Sequence, residues 1–422
     1  MDATQVPTGY KLTELGIIPQ EWEAKTFGEV MTGFSSGATP YRAHKHYYDG
    51  KINWVTSGEL NYNVITHTIE HISKEAQKRT NLKLLPKGTF LMAITGLEAA
   101  GTRGSCAILG TEATTNQSCL ALFPIKDLLT TQYLFYYYVL YGDALAFQFC
   151  QGTKQQSYTG SIVKRLPIIL PPLAEQQAIA AALGEMDALL AAQRARLAKQ
   201  RAVKQGLLQG LLSRKQRLRG FSEEWKVKRL GDIADITKLA GYEYTKYFNS
   251  YRDEGEIIVI RGTNITHNKL DLSDIKTIPK ATSKFLKRSQ LNIGDMVFAY
   301  VGTIGPVYLI EENNRFHLGP NTAKITARHE LEPKFLFHYF TSELGINEMQ
   351  EHISIGAQPS LSMTKIRLFN INTPSLKEQR AIADVLSEAD AYLAALEAEH
   401  AKTQLLKQGM MQNLLTGKLR LV

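Results

Sequence analysis

Two long stretches of the chain carry the same helical pattern of apolar residues. The apolar positions recur at steps of three and four residues: Ile179, Leu183, Met186, Leu190 and Leu197 in the first stretch, and Ile382, Leu386, Ala389, Leu393 and Leu396 in the second. This spacing is typical of one face of an α-helix. A helix over about 174–213 is roughly 60 Å long, which exceeds the size of a small globule and favours a spacer.

The two stretches are copies of one another. Residues 171–218 return at 374–421 with a fixed offset of 203, and 26 of the 48 aligned positions are identical. Glu21-Trp22 and Glu224-Trp225 repeat at the same offset, so the duplication covers more than the helices. Ser375 and Glu378 have the spacing of a capping box, which predicts the start of the second helix.

Two regions of mixed pattern separate the helices. Short apolar runs bounded by Gly, Pro and Asn predict strands, and an aromatic run in each region predicts a helix. The strands are predicted at KINWV, TFLMAI, SCAIL and CLALF in the first region and at EIIVI, DMVFAYV, PVYLI and TAKIT in the second, with helices over 132–145 and 333–344. Sequence identity between the two regions almost vanishes, which indicates a shared frame with different surfaces.

These patterns predict an α+β fold with two mixed α/β domains separated by two long antiparallel α-helices. Because the repeat closes on itself, the organisation is expected to be circular and pseudo-two-fold. The predicted segments are a leader (1–18), a first mixed α/β domain (19–167), a central long helix (168–218), a second mixed α/β domain (219–369) and a C-terminal long helix (370–422).

Composition favours a cytoplasmic protein with a polyanionic partner. The chain of 422 residues has 49 Lys and Arg against 40 Asp and Glu, a net charge of +9. Its three cysteines show no metal-site or disulfide spacing. The first residues do not resemble a signal peptide, and no uninterrupted apolar run is long enough to span a membrane, so neither export nor a membrane span is expected.

No catalytic or metal-binding residue is predicted. His67-x-x-Glu70-His71 matches a zinc-protease pattern, but the surrounding residues alternate as in a strand, whereas that chemistry needs a helix. His44 and His46 lie in a polar loop and are expected to face water or DNA. Two E-x-K spacings, at 224–226 and 332–334, lack an upstream acidic partner, and neither a P-loop nor a base-methylating motif occurs.

The layout resembles the DNA specificity subunit of type I restriction-modification systems. The resemblance rests on Gly16-Ile17-Ile18-Pro19 with Trp22, the runs at 171–176 and 374–379, and the Lys-Gln-Gly ends of both helices. It covers nearly the whole chain. It implies that each variable domain reads one half of a split DNA site and that the helices hold two methylation subunits, with a nuclease-translocase subunit as a further partner that the family allows.

The expected function is therefore non-catalytic recognition of a bipartite, asymmetric sequence in double-stranded DNA. S-adenosylmethionine, ATP and Mg²⁺ are expected in partner subunits, and no cofactor is expected on this chain. Two alternatives remain at this level: a self-contained restriction or modification enzyme with a hidden methyltransferase core, and a coiled-coil adaptor without a DNA role.

Polar and basic side chains on loops beside strands are the candidates for DNA contact, since Arg and Lys suit guanine and Asn and Gln suit adenine. These candidates are Thr56, Ser57, Arg103, Asn116, Gln117, Lys154, Gln155, Gln156 and Tyr158 in the first domain, and Arg261, Thr263, Asn264, His267, Lys269, Asn321 and Gln358 in the second. For any single residue, ordinary turn chemistry is an equally good explanation.

The long helices also differ in charge near their midpoints. Arg194 and Arg196 correspond to Glu397 and Glu399, and an antiparallel crossing would place Arg194 by Glu399 and Arg196 by Glu397. Ordinary solvated charges are the alternative. The equivalent glycines Gly206 and Gly409 are unfavourable within a helix, which predicts a close backbone approach to the other helix or to a methylation subunit.

Overall fold

The computed structural model describes residues 6–99, 101–150, 156–247, 255–354 and 360–421. Two compact units are present. The first unit comprises residues 1–193 and 399–422, and the second unit comprises residues 194–398. Each unit therefore contains one mixed α/β domain and a part of both long helices.

The first half of the chain contains the strands and helices that the sequence predicts, with additional short ones. The strands are β1 (Tyr10–Thr13), β2 (Gly16–Pro19), β3 (Glu23–Thr26), β4 (Met31–Ser36), β5 (Ile52–Val55), β6 (Asn63–Ile65), β7 (Glu70–Ile72), β8 (Phe90–Ala93), β9 (Cys106–Leu109), β10 (Thr114–Thr115), β11 (Cys119–Pro124) and β12 (Pro167–Leu170). The helices are α1 (Phe27–Val30), α2 (Lys74–Arg79), α3 (Thr131–Phe149), α4 (Gly160–Arg165) and the first long helix α5 (Leu173–Leu212).

The second half repeats this plan. Its strands are β13 (Lys226–Arg229), β14 (Ala234–Lys238), β15 (Ile257–Ile260), β16 (Ile265–Thr266), β17 (Lys269–Leu270), β18 (Lys276–Ile278), β19 (Asp295–Ala299), β20 (Val307–Leu309), β21 (Phe316–Leu318), β22 (Thr322–Ala327) and β23 (Asn370–Thr373). Its helices are α6 (Leu230–Ile233), α7 (Gly241–Tyr247), α8 (Lys280–Phe285), α9 (Pro333–Thr341), α10 (Glu343–His352), α11 (Met363–Arg367) and the second long helix α12 (Leu376–Leu414).

Equivalent sheets form the two domains. The first domain has a five-stranded sheet in the order β4-β11-β8-β9-β6 and a three-stranded sheet in the order β10-β5-β7. The second has a four-stranded sheet in the order β14-β22-β19-β20 and a three-stranded sheet in the order β18-β15-β21. In each domain a two-stranded ladder, β12–β3 or β13–β23, joins the beginning of the domain to its end.

The prediction of two long antiparallel helices is confirmed. In the first unit, Asp187 of α5 pairs with Lys407 of α12, and Gln193 bonds Glu399 further along α5. Residue numbers therefore increase along α5 in the direction in which they decrease along α12. In the second unit, Lys204 likewise pairs with Asp390.

The apolar stripe of each long helix is largely buried. Ile179 and Leu183 belong to the core of the first domain, and Ile382 and Leu386 belong to the core of the second. Leu197, Leu393 and Leu396 form a small cluster of their own within the second unit. Leu190 is buried as well, whereas Met186 is only half-buried.

The first unit is closed by a buried carboxylate at the start of α5. The Trp22 indole Nε1 donates to Glu175 Oε2 at 2.8 Å, and the Arg420 guanidinium binds both oxygens of the same carboxylate. Glu175 is 0 % exposed. These bonds raise the pKa of Arg420 above its usual range, so the guanidinium stays charged. The contact joins the beginning of the domain, the start of α5 and the residues after α12.

The second unit contains the same arrangement at an offset of 203 residues. Trp225 Nε1 donates to Glu378 Oε2 at 3.2 Å, and Arg217 binds both oxygens at 3.0 and 2.7 Å. The predicted capping box of Ser375 and Glu378 is therefore wrong in its role for Glu378, because the carboxylate faces Trp225 and Arg217. We call each Trp–Glu–Arg set a carboxylate latch.

The glutamine after each latch glutamate holds the loop that leads into α3 in the first unit and into α9 in the second. Gln176 accepts from Thr130 N and donates to the carbonyls of Leu128 and Pro171. Gln379 makes the same three bonds, to Glu332 N and to the carbonyls of Glu330 and Pro374. All six partners are backbone groups, so they do not depend on the side chains of the loop.

A third pair of equivalent contacts differs between the units. In the first unit the Tyr136 hydroxyl donates to Asp187, which also binds Lys407. In the second unit His338 occupies the position of Tyr136, 3.9 Å from Asp390, which also binds Lys204. Burial lowers the pKa of His338 to about 4, because the charged imidazolium would lose its hydration.

The structure corrects part of the predicted charge pairing between the helices. Glu397 pairs with Arg201 and Lys269, not with Arg196, and Arg196 bonds the Tyr392 hydroxyl. The helices are antiparallel as expected, but the partner of Glu397 lies more than one turn further along α5. Arg194 and Glu399 belong to different units, and their pairing stays a prediction.

Removal of the arginine from a carboxylate latch is expected to destabilise its unit. Arg217→Met leaves Glu378 buried without its counter-charge, at a cost of about 3–5 kcal/mol. Calorimetric unfolding measures the loss, and Arg219→Met, at an exposed position two residues away, is the matched control with a cost below about 0.5 kcal/mol. Equal transition temperatures for the two variants would contradict the latch.

The second unit is expected to be more sensitive to acid than the first. The folded state keeps His338 neutral down to about pH 4, whereas an unfolded histidine takes up its proton near pH 6.5. Stability is thus present above pH 6.5 and lost as the pH falls towards 4, by about 3 kcal/mol in total.

The matched variant is His338→Tyr, which installs the residue of the first unit and should remove this acid loss. Calorimetry of the second unit at pH 7.5, 5.5 and 4.5 measures it, with exposed His329→Gln as the control. An acid loss in His338→Tyr as large as in the parent chain would show that another group is responsible.

Candidate nucleic-acid interface

Part of the predicted DNA-contacting set in each domain follows the carboxyl ends of two parallel strands: Thr56, Ser57, Asn116 and Gln117 in the first, and Arg261, Thr263, Asn264 and Asn321 in the second. β5 pairs in parallel with β10, and β15 pairs in parallel with β21. Parallel strands end at the same edge of a sheet, so the residues that follow them become neighbours. Asn116 N donates to Val55 O at 2.9 Å, and Gly319 N donates to Ile260 O at the same distance.

Two further loops join this edge in each domain through backbone hydrogen bonds. In the first domain, Ile94 N donates to Ser118 O, and Tyr158 N donates to Ile94 O. In the second domain, Tyr300 N donates to Asn321 O, and Leu361 N donates to Tyr300 O. We call these segments the recognition loops: 56–59, 94–97, 116–118 and 156–158 in the first domain, and 261–264, 300–302, 319–321 and 360–361 in the second.

One buried side chain in each domain holds the first recognition loop in place. Glu59 accepts from Thr56 N and, with its other oxygen, from Ile69 N at 2.9 Å. Asn264 is the equivalent residue. Its Oδ1 accepts from Arg261 N at 3.2 Å, and its Nδ2 donates to the carbonyl of Asp274 at 2.8 Å. Each side chain thus connects the start of its recognition loop to the end of the excursion, the segment that follows the loop and reaches Ile69 in the first domain and Asp274 in the second.

The predicted residues differ in how accessible they are. Gln117, Thr263, His267, Lys269 and Asn321 are exposed, and Thr56, Ser57, Arg103, Asn116, Gln156 and Arg261 are half-buried. Tyr158 and Asn264 are buried. Lys154, Gln155 and Gln358 lie outside the described residues.

The two arginines are engaged by carboxylates on the protein itself. Arg103 Nε bonds Asp143 at 2.7 Å, and this bond raises the pKa of Arg103. Arg261 pairs with Asp274 at 3.0 Å and donates to Asn264 Oδ1 as well. Arg103 meets Asp143 through Nε alone and has further N–H donors for a base, whereas Arg261 uses both Nε and Nη2 and would have to exchange its contacts for the DNA.

Sequence reasoning missed Asn61, Asn63 and Ile69, which lie beside the first recognition loop. With Gly58 and Glu59 they line a surface groove of about 260 Å³. The Asn61 amide Nδ2 donates to Gly58 O at 3.2 Å. The Asn-x-Asn spacing between two predicted strands was the available signal, since Asn is frequent in loops that begin or end a strand.

The described residues do not form a metal site of the kind the sequence raised. His67 lies in the turn between β6 and β7, and His71 lies on β7, so the two imidazoles do not share a helical face. Within the ranges that the structure describes, no three His, Cys, Asp or Glu side chains come together as a metal ion needs. In the same ranges, no helix combines the length and apolarity required to cross a membrane.

Comparison with known protein families gives a match to a DNA specificity domain, which is consistent with two domains that each carry a candidate nucleic-acid interface. The family model for the type I restriction modification DNA specificity domain matches the chain twice, over residues 19–199 and 222–407. Both matches combine a mixed α/β domain with the beginning of a long helix.

Three specificity subunits of Methanocaldococcus jannaschii are similar in sequence. The MjaVIII specificity subunit is 21% identical over 426 residues, 96% of this chain and 94% of that protein. The putative MjaX specificity subunit is 24% identical over 429 residues, which cover 97% of this chain and 96% of that protein. The MjaIX specificity subunit is 29% identical over 252 residues, 54% of this chain and 55% of that protein.

Two solved structures share the fold. The S subunit of a type I restriction-modification system from M. genitalium has a TM-score of 0.59 at 15% identity, and 96% of this chain and 97% of that chain are covered. A chain from work on complex assembly of the type I R-M system has a TM-score of 0.58 at 17% identity, with 95% and 99% covered. Since the family model matches most of the chain, this protein belongs to the DNA specificity family of type I restriction-modification systems.

Proposed function

We propose that this chain reads a bipartite, asymmetric sequence in double-stranded DNA, one half with each domain. One observation carries the proposal: the two units share their frame contacts but differ in the recognition loops. The carboxylate latch and the three bonds of the following glutamine are the same in both units. The loop after the first parallel strand is Thr-Ser-Gly-Glu in one domain and Arg-Gly-Thr-Asn in the other.

Sequence is read by side chains that reach base edges, whereas a common frame sets only their position. Loops of different residues on one frame therefore favour different base sequences. Buried Tyr158 and Asn264 support the loops, so we assign base contact to the exposed and half-buried candidates. Arg103, and Arg261 once Asp274 releases it, suit guanine, and Asn116, Gln117 and Asn321 suit adenine.

Catalysis is assigned to partner subunits. We propose that two adenine-methyltransferase subunits bind this chain and carry S-adenosylmethionine, and that ATP and Mg²⁺ belong to a nuclease-translocase subunit where one joins. The chain then acts in the cytoplasm as the part that selects the DNA.

Two equivalent faces on the long helices support the docking of two copies of one partner. Val203 on α5 and Leu406 on α12 are 44% and 54% exposed at equivalent positions. Gly206 and Gly409 follow them, and among the described residues nothing lies within 4 Å of a Cβ placed at either glycine. The predicted approach of the other helix to these glycines is therefore wrong, whereas the approach of a partner stays a proposal.

Selection from randomised DNA by the chain assembled with its methylation subunits is expected to return two unlike half-sites at a fixed spacing. Replacement of residues 27–166 by residues 230–369 should give the second half-site twice, because both segments lie between the strands of equivalent ladders. Gln176 should accept the inserted loop, since Gln379 binds only its backbone.

The reciprocal chain, with residues 27–166 in both places, is the control and should return the first half-site twice. An affinity loss of about 1–3 kcal/mol is expected for each wrong base pair. A parent chain that enriches no motif, or one whose two half-sites survive both replacements, would rule out this proposal.

The docking faces predict that partner stoichiometry changes in single steps. Gly206→Trp should lower the number of bound methylation subunits from two to one, and adding Gly409→Trp should lower it to none, as measured by analytical ultracentrifugation. Ala198→Trp, at an exposed α5 position about two turns before Gly206, should keep two. Two bound subunits in the Gly206→Trp, Gly409→Trp chain would place the docking surface elsewhere.

A further inference from the structure

An apolar surface lies beside the first recognition loop of the first domain. Ile69 is 84% exposed and Val64 is 56% exposed. Both line the groove of about 260 Å³ that begins at Gly58 and Glu59. Single exposed apolar side chains are common, but two that line one groove together are a feature that requires an explanation.

The groove is continuous with the recognition loops. Glu59 binds Thr56 N in the first recognition loop and Ile69 N at the groove, so a single carboxylate fixes the distance between them. A third donor, the Thr56 hydroxyl, also binds Glu59. Because Glu59 is buried and bonded to these protein donors, the outward surface carries apolar and amide groups, with the Thr66 hydroxyl and the His67 imidazole beside them, rather than a free carboxylate.

The groove places amide groups next to the apolar ones. Asn61 and Asn63 line it together with Val64 and Ile69. Both are exposed: the Asn61 amide Nδ2 donates to Gly58 O, and Asn63 Oδ1 accepts from Asn61 N at 3.3 Å, which leaves Oδ1 a second lone pair for a base. An amide suits the N6 and N7 edge of adenine, and an apolar side chain suits the 5-methyl group of thymine. These two groups belong to one base pair.

We infer that this groove reads an A·T pair in the half-site of the first domain, with Ile69 and Val64 against the thymine methyl group. This inference rests on the proposed reading of one half-site by each domain. Both domains expose a Thr-His pair here, but the segment after the first recognition loop of the second domain adds the cation Lys269, and among its described residues Leu272, at 40%, is the one exposed large apolar side chain. Thymine-methyl readout is therefore specific to the first domain.

The test uses the full chain and its selected duplex, with uracil in place of thymine at each position in turn. Uracil lacks only the 5-methyl group, so the base-pairing edge is unchanged. At one or two positions of the first half-site, uracil should weaken binding roughly fourfold, the effect of losing one buried methyl group. Uracil anywhere in the second half-site should have no such effect.

Variants connect the effect to the groove. The chain with Ile69→Ala and Val64→Ala should bind the thymine and uracil duplexes equally. Leu84→Ala removes an exposed leucine of the same domain that does not line the groove, and should keep the fourfold difference. Both altered residues are exposed, so folding should be retained, which calorimetry checks.

The outcomes separate this inference from the proposed function. If no half-site is selected, the proposed function fails. If a half-site is assigned to the first domain but lacks an A·T pair, or shows no uracil effect, this inference alone is overturned. A uracil effect that survives in the Ile69→Ala, Val64→Ala chain overturns it as well.

Discussion

The buried carboxylate at the start of each long helix is the interaction on which both units depend. A glutamate taken out of water is tolerated only when its charge is paired and its oxygens are hydrogen-bonded. Glu175 and Glu378 satisfy this condition with one indole and one guanidinium each. In the first unit the two partners, Trp22 and Arg420, come from opposite ends of the chain, and in the second unit both lie more than 150 residues before Glu378. The requirement to neutralise one charge therefore brings distant segments together.

The two units share the same frame contacts, the latch and glutamine bonds, although their surfaces differ, because frame and surface use different chemical groups. The frame binds backbone amides and carbonyls through Gln176 and Gln379, and the recognition loops are joined to one another by backbone bonds. Backbone groups are the same for every residue type except proline. Apart from buried Glu59, Tyr158 and Asn264, the side chains on the loops are therefore not needed to hold the frame, and the two domains could diverge in what they present.

The periodic features were predictable from sequence and the tertiary ones were not. The long helices, the main strands and the duplication follow from spacing alone. Polar residues after apolar runs indicated several of the positions that lie where β5 and β10, and β15 and β21, end. The partners of Glu378 lie 153 and 161 residues away, so a local capping pattern misassigned its role. Likewise, nothing local distinguishes buried Asn264 from exposed Asn321, because the bonds that bury Asn264 come from the later residues Asp271 and Asp274. Helix register was predicted from symmetry, but the partner of Glu397 depends on which face of α5 each arginine occupies.

The latch of the first unit has a consequence for the order of synthesis. In the first latch, Glu175 is synthesised 245 residues before its partner Arg420. In the second latch, Arg217 is synthesised 161 residues before Glu378, so the cation is already present when the carboxylate is made. A ribosome therefore completes the parts of the second unit before those of the first, although the first domain emerges earlier. Chains grow at about 5–20 residues per second, so the carboxylate of Glu175 spends on the order of ten seconds or more without its cation. During translation, the domain nearest the amino terminus is the one that matures last.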